Sequence, residues 1–290
     1  MSIQFPKIHQ GKVRDVYQID DKHLLMVASD RLSAFDVVLP DAIPHKGALL
    51  TQISNYWFDY MRPIIKNHLA DVKVEEVIPN ASADLKARAV VVKKLKALPC
   101  EAIVRGYIIG SGWKDYLATG EVCGIKLPTG LQQAQKLETT LFTPSSKASV
   151  GDHDENISFD QLVNLIGTER AEQLKTVSIN IYNKAITHAE ANGLMIADTK
   201  FEFGLDEDDE LVLMDEVLTP DSSRFWNKNK YQAGTSPESY DKQFVRDYLE
   251  TLEWDKTPPG PNVPADIINK TAEKYHEAYQ RITGKAFQLD

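Results

Sequence analysis

Between residues 194 and 218 the chain alternates, turns once through an acidic stretch at 206–209, and runs on as a second strand. Nothing else in the sequence restricts the fold as strongly. Successive side chains of a strand point to opposite faces, so Asp198, Lys200 and Glu202 share one face. The second strand carries apolar Val212 and Met214 and then ends abruptly in Asp215-Glu216. Neighbouring strands therefore offer Glu202 and Asp215 as a carboxylate pair. Such a pair suits one or two magnesium ions, which keep water and take few protein ligands alongside phosphate oxygens. Lys200 between them suits a nucleotide phosphate. The same spacing also suits a neutral charge ladder on a solvated strand.

The rest of the chain mixes both periodicities. Strands are expected over 12–19 and 23–28 around a polar turn, over 35–39 up to Pro40, and over 88–95. A helix is expected over 49–61, where Leu49, Leu50, Ile53, Tyr56, Trp57 and Tyr60 recur at helical spacing. Residues 101–109 read as a strand closing in a Gly-Ser-Gly turn at 110–112, with a short helix at 113–118. Residues 128–156 read as loop. Helices follow over 160–166 and 169–191, the latter stopped by Asn192-Gly193. Two more, over 241–252 and 266–283, flank a Pro-rich break at 257–264. The fold class is α+β, in two lobes divided near residue 96: 1–96 rich in strands, and 97–290 carrying the second hairpin and the C-terminal helices.

Charge narrows the function. The 290 residues include 42 acidic and 33 basic side chains, a formal net charge of -9. A phosphate backbone needs a basic face, so nucleic acid is not an expected partner. Only Cys100 and Cys123 are present; without CxxC or Cys/His spacing, neither structural zinc nor a disulfide framework is expected, and both thiols read as inert. No signal-like core and no apolar run of about 20 residues is found. The expected setting is the cytoplasm, with no membrane partner.

Four further clusters could carry chemistry. Gly11-Lys12-Val13-Arg14-Asp15 ahead of a hairpin can lay amides and cations over phosphates, though it is neither a Walker loop nor GxGxxG. Glu101, Ile103 and Arg105 share a strand face that runs into Gly110-Ser111-Gly112, a plausible cradle for a phosphorylated anion, because Arg makes bidentate contacts. Thr219 to Trp226, holding Ser222, Ser223 and Arg224, is read as a polar loop at a strand end suited to an anion. Ser145-Ser146-Lys147 with Gly151 to Asn156 is a polar stretch too long for a tight turn. Each also has a plain reading, as a solvated face, a structural ion pair or a capped turn.

These segments together resemble one family. LPCEAIVRGYIIGS (98–111) and IADTKFEFG (196–204) are similar to the two signature motifs of the phosphoribosylaminoimidazole-succinocarboxamide synthases, the SAICAR synthetases of purine biosynthesis. GKVRDVY (11–17), SDRLSAFD (29–36), VVKKL (91–95), SSKASVGDHDENIS (145–158) and MDEVLTPDSSRFW (214–226) resemble it too, in the same order. The resemblance implies an ATP-dependent ligase. ATP would phosphorylate the carboxylate of carboxyaminoimidazole ribotide (CAIR), and L-aspartate would displace phosphate to give SAICAR and ADP. It implies a first lobe like the small lobe of protein kinases, an ATP-grasp-like second lobe, and magnesium as the cofactor. HRD and DFG are absent, which removes a protein kinase; a small-molecule kinase using the same cleft, or a non-catalytic nucleotide binder, are the other readings.

Roles follow the resemblance residue by residue. Gly11, Lys12, Val13 and Arg14 would cover the ATP phosphates, with Val92 and Lys93 beside adenine and Lys200 on phosphate. Glu202 and Asp215 would hold magnesium. Arg105, Ser111 and Arg224 would hold the ribotide phosphate and its neighbourhood, with Glu101 and Asp198 beside the imidazole. Lys200, Glu202, Asp215 and Asp198 form the expected catalytic set. Ser33, Asp36, Lys147 and Asp154 are the candidates for L-aspartate. The chain is expected to be a monomer or a homodimer.

Overall fold

The computed structural model describes residues 3–147 and 155–289. The 151–154 stretch, including the candidate Asp154, lies outside the described residues. The fold is α+β. Its first part holds strands β1 (Lys7–Gln10), β2 (Arg14–Gln18) and β3 (His23–Ala28), then the hairpin β4 (Arg31–Ala34) and β5 (Val37–Ala42). Helix α1 (Lys46–Tyr60), two short helices α2 (Val74–Val77) and α3 (Ala83–Arg88), and strand β6 (Ala89–Lys93) complete it. Strands β1-β2-β3-β6 form one antiparallel sheet in that order. Alternation divides its two faces. Leu25, Val27, Ala89 and Val91 bury one face with Val74 and Leu85, while Met26, Ala28 and Val90 turn the other toward a cavity.

The second part runs β7 (Lys96–Ala97), β8 (Cys100–Tyr107), α4 (Gly110–Thr119), β9 (Glu121–Val122), β10 (Ile125–Lys126), β11 (Lys136–Phe142), β12 (Ser145–Ser146) and β13 (Glu155–Asn156). Helices α5 (Phe159–Ile166) and α6 (Thr168–Ala191) follow, then β14 (Leu194–Leu205), β15 (Leu211–Met214), β16 (Ser223–Asn227), α7 (Gln243–Glu250) and α8 (Ala265–Thr283). The long strand β14 organises the larger sheet, pairing antiparallel with β8, β15, β16 and β7. Helix α6 covers this sheet with a stripe at three- and four-residue spacing: Ala171, Leu174, Ser178, Ile181, Ala185 and Ala189. Helix α1 also belongs here. Its Leu49, Ile53 and Trp57 share the main core with Phe201, Phe203 and Tyr275, and full burial of each large apolar side chain contributes roughly 1.5–3 kcal/mol.

One extended segment stitches the two sheets together. The Leu213 amide donates to the Lys66 carbonyl at 3.0 Å and the His68 amide to the Leu213 carbonyl at 3.0 Å. On its other side the Lys93 amide donates to the His68 carbonyl at 2.7 Å and the Ala70 amide to the Val91 carbonyl at 3.0 Å.

The structure corrects four expectations. Gly110-Ser111-Gly112 is the first turn of α4 and not a free turn. Residues 223–227, expected as loop, form a strand of the main sheet. The 128–156 stretch contains strands at Lys136–Phe142, Ser145–Ser146 and Glu155–Asn156, held by pairing to β8 or to one another. The strand expected at 35–39 is a hairpin instead, with Ala34 opposite Val37 and a two-residue turn at Phe35-Asp36. Both turn residues have positive φ, 51° and 64°. That is the mirror-image hairpin turn, normally supplied by Asn-Gly, and no glycine here announces it.

Candidate active site

The register of β8 against β14 builds the centre of the site. Asp198 lies opposite Arg105 and Lys200 opposite Ile103, so the polar residues of both strands meet on one face. Arg105 is almost fully buried and each of its three side-chain nitrogens has a partner. Its Nε donates to Thr143 Oγ1 at 2.9 Å, its Nη2 to Ser111 Oγ at 3.0 Å and its Nη1 to Asp198 Oδ2 at 3.3 Å. Arg224 from β16 donates to the same Asp198 oxygen. The two glycines of α4 explain how two guanidiniums fit side by side. A Cβ on Gly110 would fall 2.4 Å from Arg224 Nη2, and one on Gly112 3.2 Å from Arg105 Cδ. Gly110 also has φ 61°, a left-handed conformation that favours glycine.

Arg105, Ser111, Asp198, Lys200 and Arg224 thus line a single cleft of about 560 Å³. Ser222, Ser223, Asp241 and Arg246 line it too, and Arg246 and Asp241 had no assigned role. Arg246 sits on α7, where its Nη1 donates to Asp241 Oδ2 at 2.6 Å. In the sequence it looks like one more cation on an amphipathic helix, and only the three-dimensional arrangement carries it to the cleft. Two further carboxylates stand beside Lys200. Lys200 Nζ lies 2.5 Å from Glu101 Oε1 and 3.4 Å from Glu202 Oε1. Burial would lower the Lys200 pKa, but Glu202, Glu101 and Asp215 outweigh it and hold the ammonium above its ordinary value. Lys147 reaches Glu202 Oε2 at 2.5 Å.

Glu202 and Asp215 act on the same two cations, although the strand pairing alone would part them. Glu202 stands opposite Met214. Strict alternation would send Asp215 to the far face, but its φ of 66° leaves the strand conformation and re-aims the side chain. Asp215 Oδ2 accepts from Arg14 Nη2 at 2.7 Å, and Glu216 Oε2 lies 3.3 Å from the same nitrogen. Burial works against the Arg14 cation, yet Asp215, Glu216 and Glu202 together raise its pKa. Both carboxylates therefore act on both Arg14 and Lys200.

Arg14 also lines a second, narrow cavity beneath the first sheet. Val13, Arg14, Met26, Val90, Asp215 and Glu216 are among its lining residues, with His68 at its wall. Gly11 closes the turn leading into β2, its amide donating to the Arg14 carbonyl at 2.7 Å. Lys12 pairs with Asp36 at the hairpin tip. Val92 is buried on β6 and Lys93 exposed; the Lys93 amide is engaged by His68, so backbone recognition there falls to other groups. Of the three described aspartate candidates, Ser33 and Asp36 share the β4–β5 hairpin, while Lys147 lies against Glu202.

Behind the cleft, Asp221 is held by a buried cluster. Lys46 Nζ, with no exposed side-chain surface, lies 2.7 Å from Asp221 Oδ2, and Tyr275 donates its hydroxyl to Asp221 Oδ1 at 2.6 Å. Burial opposes the charge of Asp221, but Lys242 and Lys46 hold its carboxyl below the usual range. Both cysteines are free, and burial pushes each thiol up to about 11, as suits unreactive groups.

Comparison with known proteins gives a consistent picture. A family model described as SAICAR synthetase matches residues 7–261. The phosphoribosylaminoimidazole-succinocarboxamide synthase of Methylobacillus flagellatus is 59% identical over 282 residues, covering 97% of this chain and 95% of that protein. Its counterpart in Neisseria meningitidis serogroup B is 59% identical over 278 residues, covering 96% and 97%. Among solved structures, the SAICAR synthase of Saccharomyces cerevisiae in complex with SAICAR superposes with a TM-score of 0.91 at 43% identity, covering 98% of this chain and 96% of that one.

Proposed function

The chain belongs to the SAICAR synthetase family, and from that membership we propose that it joins L-aspartate to CAIR at the expense of ATP, releasing SAICAR, ADP and phosphate. A carboxylate resists attack by an amine. Transfer of the γ-phosphoryl group to a carboxylate oxygen of CAIR breaks the bond to ADP and makes an acyl phosphate. The aspartate nitrogen then forms the new C–N bond, phosphate leaves with the acyl C–O bond, and the amine gives up a proton. The chain's main task is to align three anions and offset their charge.

One observation carries this reading. A single cleft collects Arg105, Ser111, Asp198, Lys200 and Arg224 from separate elements, and Glu202, which Lys200 contacts, acts together with Asp215 on Arg14 of the Gly11–Arg14 loop. In this reading Arg105, Ser111 and Arg224 take the ribotide phosphate, and Arg246 joins them. Glu101 and Asp198 flank the imidazole, Lys200 faces the transferred phosphoryl group, and Gly11 to Arg14 cover the nucleotide. Val92 and Lys93 edge the adenine side, and Ser33, Asp36 and Lys147 serve aspartate. The lobes divide near residue 96. Free thiols accord with the reducing cytoplasm this reading assigns.

Magnesium fits the donor set. Among the described residues no group of three or more His, Cys, Asp or Glu stands ready as a metal cage. Two carboxylates, Glu202 and Asp215, beside two cations suit an ion that arrives with nucleotide and fills its remaining positions with phosphate oxygen and water. When bound, the ion would offset phosphate charge. The test is ADP formation measured with each of ATP, CAIR and L-aspartate omitted in turn. Turnover should require all three; ADP release at the full rate without aspartate or without CAIR would overturn the assignment.

A further inference from the structure

Arg31 heads the β4–β5 hairpin, and no step of the reaction above uses it. Its guanidinium is half-buried, with Nε and Nη2 both engaged. Nε donates to the Lys12 carbonyl at 3.0 Å and Nη2 to the Gly11 carbonyl at 3.1 Å. Nη2 also donates to Asp15 Oδ1 at 2.8 Å. The next carbonyl, that of Val13, is taken by Ser29 through both its amide and its hydroxyl at 2.8 Å. Three consecutive carbonyls of the Gly11–Arg14 loop are thus gripped by residues 29 and 31.

Peptide geometry turns this grip into an orientation. In a trans peptide the N–H points opposite to the carbonyl it shares a plane with. Holding the Gly11 and Lys12 carbonyls against Arg31 therefore aims the Lys12 and Val13 amides to the other side of the loop. Consecutive amides presented together favour an anion. The hairpin adds a second hold at its tip, where Asp36 pairs with the Lys12 side chain. The tip is itself pinned from the far end of the chain. Trp254 meets the Phe35 ring edge-on at 6.4 Å, and Lys256 Nζ stands 4.4 Å above it.

We propose that Arg31 is a positioning residue for the nucleotide, fixing the Gly11–Arg14 loop from behind so that its amides face the phosphates. The proposal rests on the nucleotide role given to that loop above. A guanidinium suits the task because its planar fork serves two carbonyls and a carboxylate at once; an ammonium cannot.

The test uses the full-length protein and Arg31→Met and Arg31→Lys. ADP binding is titrated directly by calorimetry in the presence of magnesium, and KM is measured for each substrate. Arg31→Met should weaken ADP binding and raise the KM for ATP by about tenfold, the worth of roughly one charge-assisted hydrogen bond. The KM for CAIR should stay within about twofold. Arg31→Lys should recover little of the loss. Should Arg31→Met fail to fold, Asp15→Asn, which removes one anchor of the guanidinium, should show a smaller loss of the same selectivity. Unchanged ADP binding in a folded variant, or equal losses for ATP and CAIR, would overturn the proposal. Wild-type protein that binds ADP without forming SAICAR would instead strike at the functional reading.

Discussion

At the scale of single residues, Asp198 takes two guanidiniums, one from Arg105 and one from Arg224. Asp198, Lys200 and Glu202 had to share a face once residues 194–205 formed a strand, and the register supplied Arg105 as the partner of Asp198. What spacing could not reveal was side-chain room. Gly110 and Gly112 read as turn formers, yet they give way to two guanidiniums. Gly106 likewise leaves space for Tyr182, whose hydroxyl would stand 2.1 Å from an added Cβ. The functional prediction at this scale concerns charge. Asp215→Asn keeps shape and removes the negative charge beside Arg14 and the proposed metal. Its kcat should fall about a hundredfold or more while the melting temperature stays within a few degrees; near-normal turnover would exclude Asp215 from the machinery. Arg224→Ala removes a cation from the cleft and leaves the second cavity untouched. Steady-state kinetics should show the KM for CAIR rising about 10- to 100-fold with little change for ATP.

At the scale of elements, periodic segments were readable and polar ones were not. Helix α6 carries its apolar stripe over 24 residues, long enough to dominate any local preference. Strand β16 begins with Ser223-Arg224 and looks like an extension of a polar loop; its pairing to β14, which buries Phe225 and Trp226, decides its state. Arg246 was invisible for a related reason, because α7 meets the cleft only through tertiary packing. The connection from β15 to β16 is held by buried charges around Asp221, with Lys242 3.7 Å from it. Lys46 at the start of α1 and Tyr275 on α8 both hold Asp221. Lys46→Met would leave that carboxylate underneutralised in a dry site, and breaking such a pair costs about 3–5 kcal/mol. Chemical denaturation should report a loss of this order, with residual activity showing a raised KM for CAIR because Ser222 and Ser223 line its cleft.

At the scale of the whole molecule, the mixed fold and the second hairpin were legible, whereas the junction between the sheets was not. Residues 66–70 carry no periodic signal, yet their backbone serves both sheets. His68 lies in this junction, buried against Phe58. Burial, assisted by the Arg14 charge, pulls its pKa from 6.5 down to about 3. Between those values the unfolded chain binds a proton that the folded chain refuses. The stability contributed by neutral His68 is therefore complete above pH 6.5 and is lost as pH falls toward 3, at about 1.4 kcal/mol per pH unit. Melting temperature measured from pH 8 to pH 4 should fall on the acid side, and His68→Gln should flatten that limb. A wild-type curve without the acid decline would refute the buried neutral state.

The junction has a mechanical consequence. It fastens the first sheet along β6, whereas Lys12 and the residues that grip its loop lie at the opposite margin, beyond β2. The seam is the steady margin of the first sheet, and the Gly11–Arg14 loop lies across the sheet from it. Hydrogen exchange should find the His68, Ala70, Lys93 and Leu213 amides slow with or without nucleotide, while Lys12 and Val13 slow down only when it binds. The seam thereby holds the carboxylates of the larger sheet in register with the loop opposite, where Arg14 already meets Asp215.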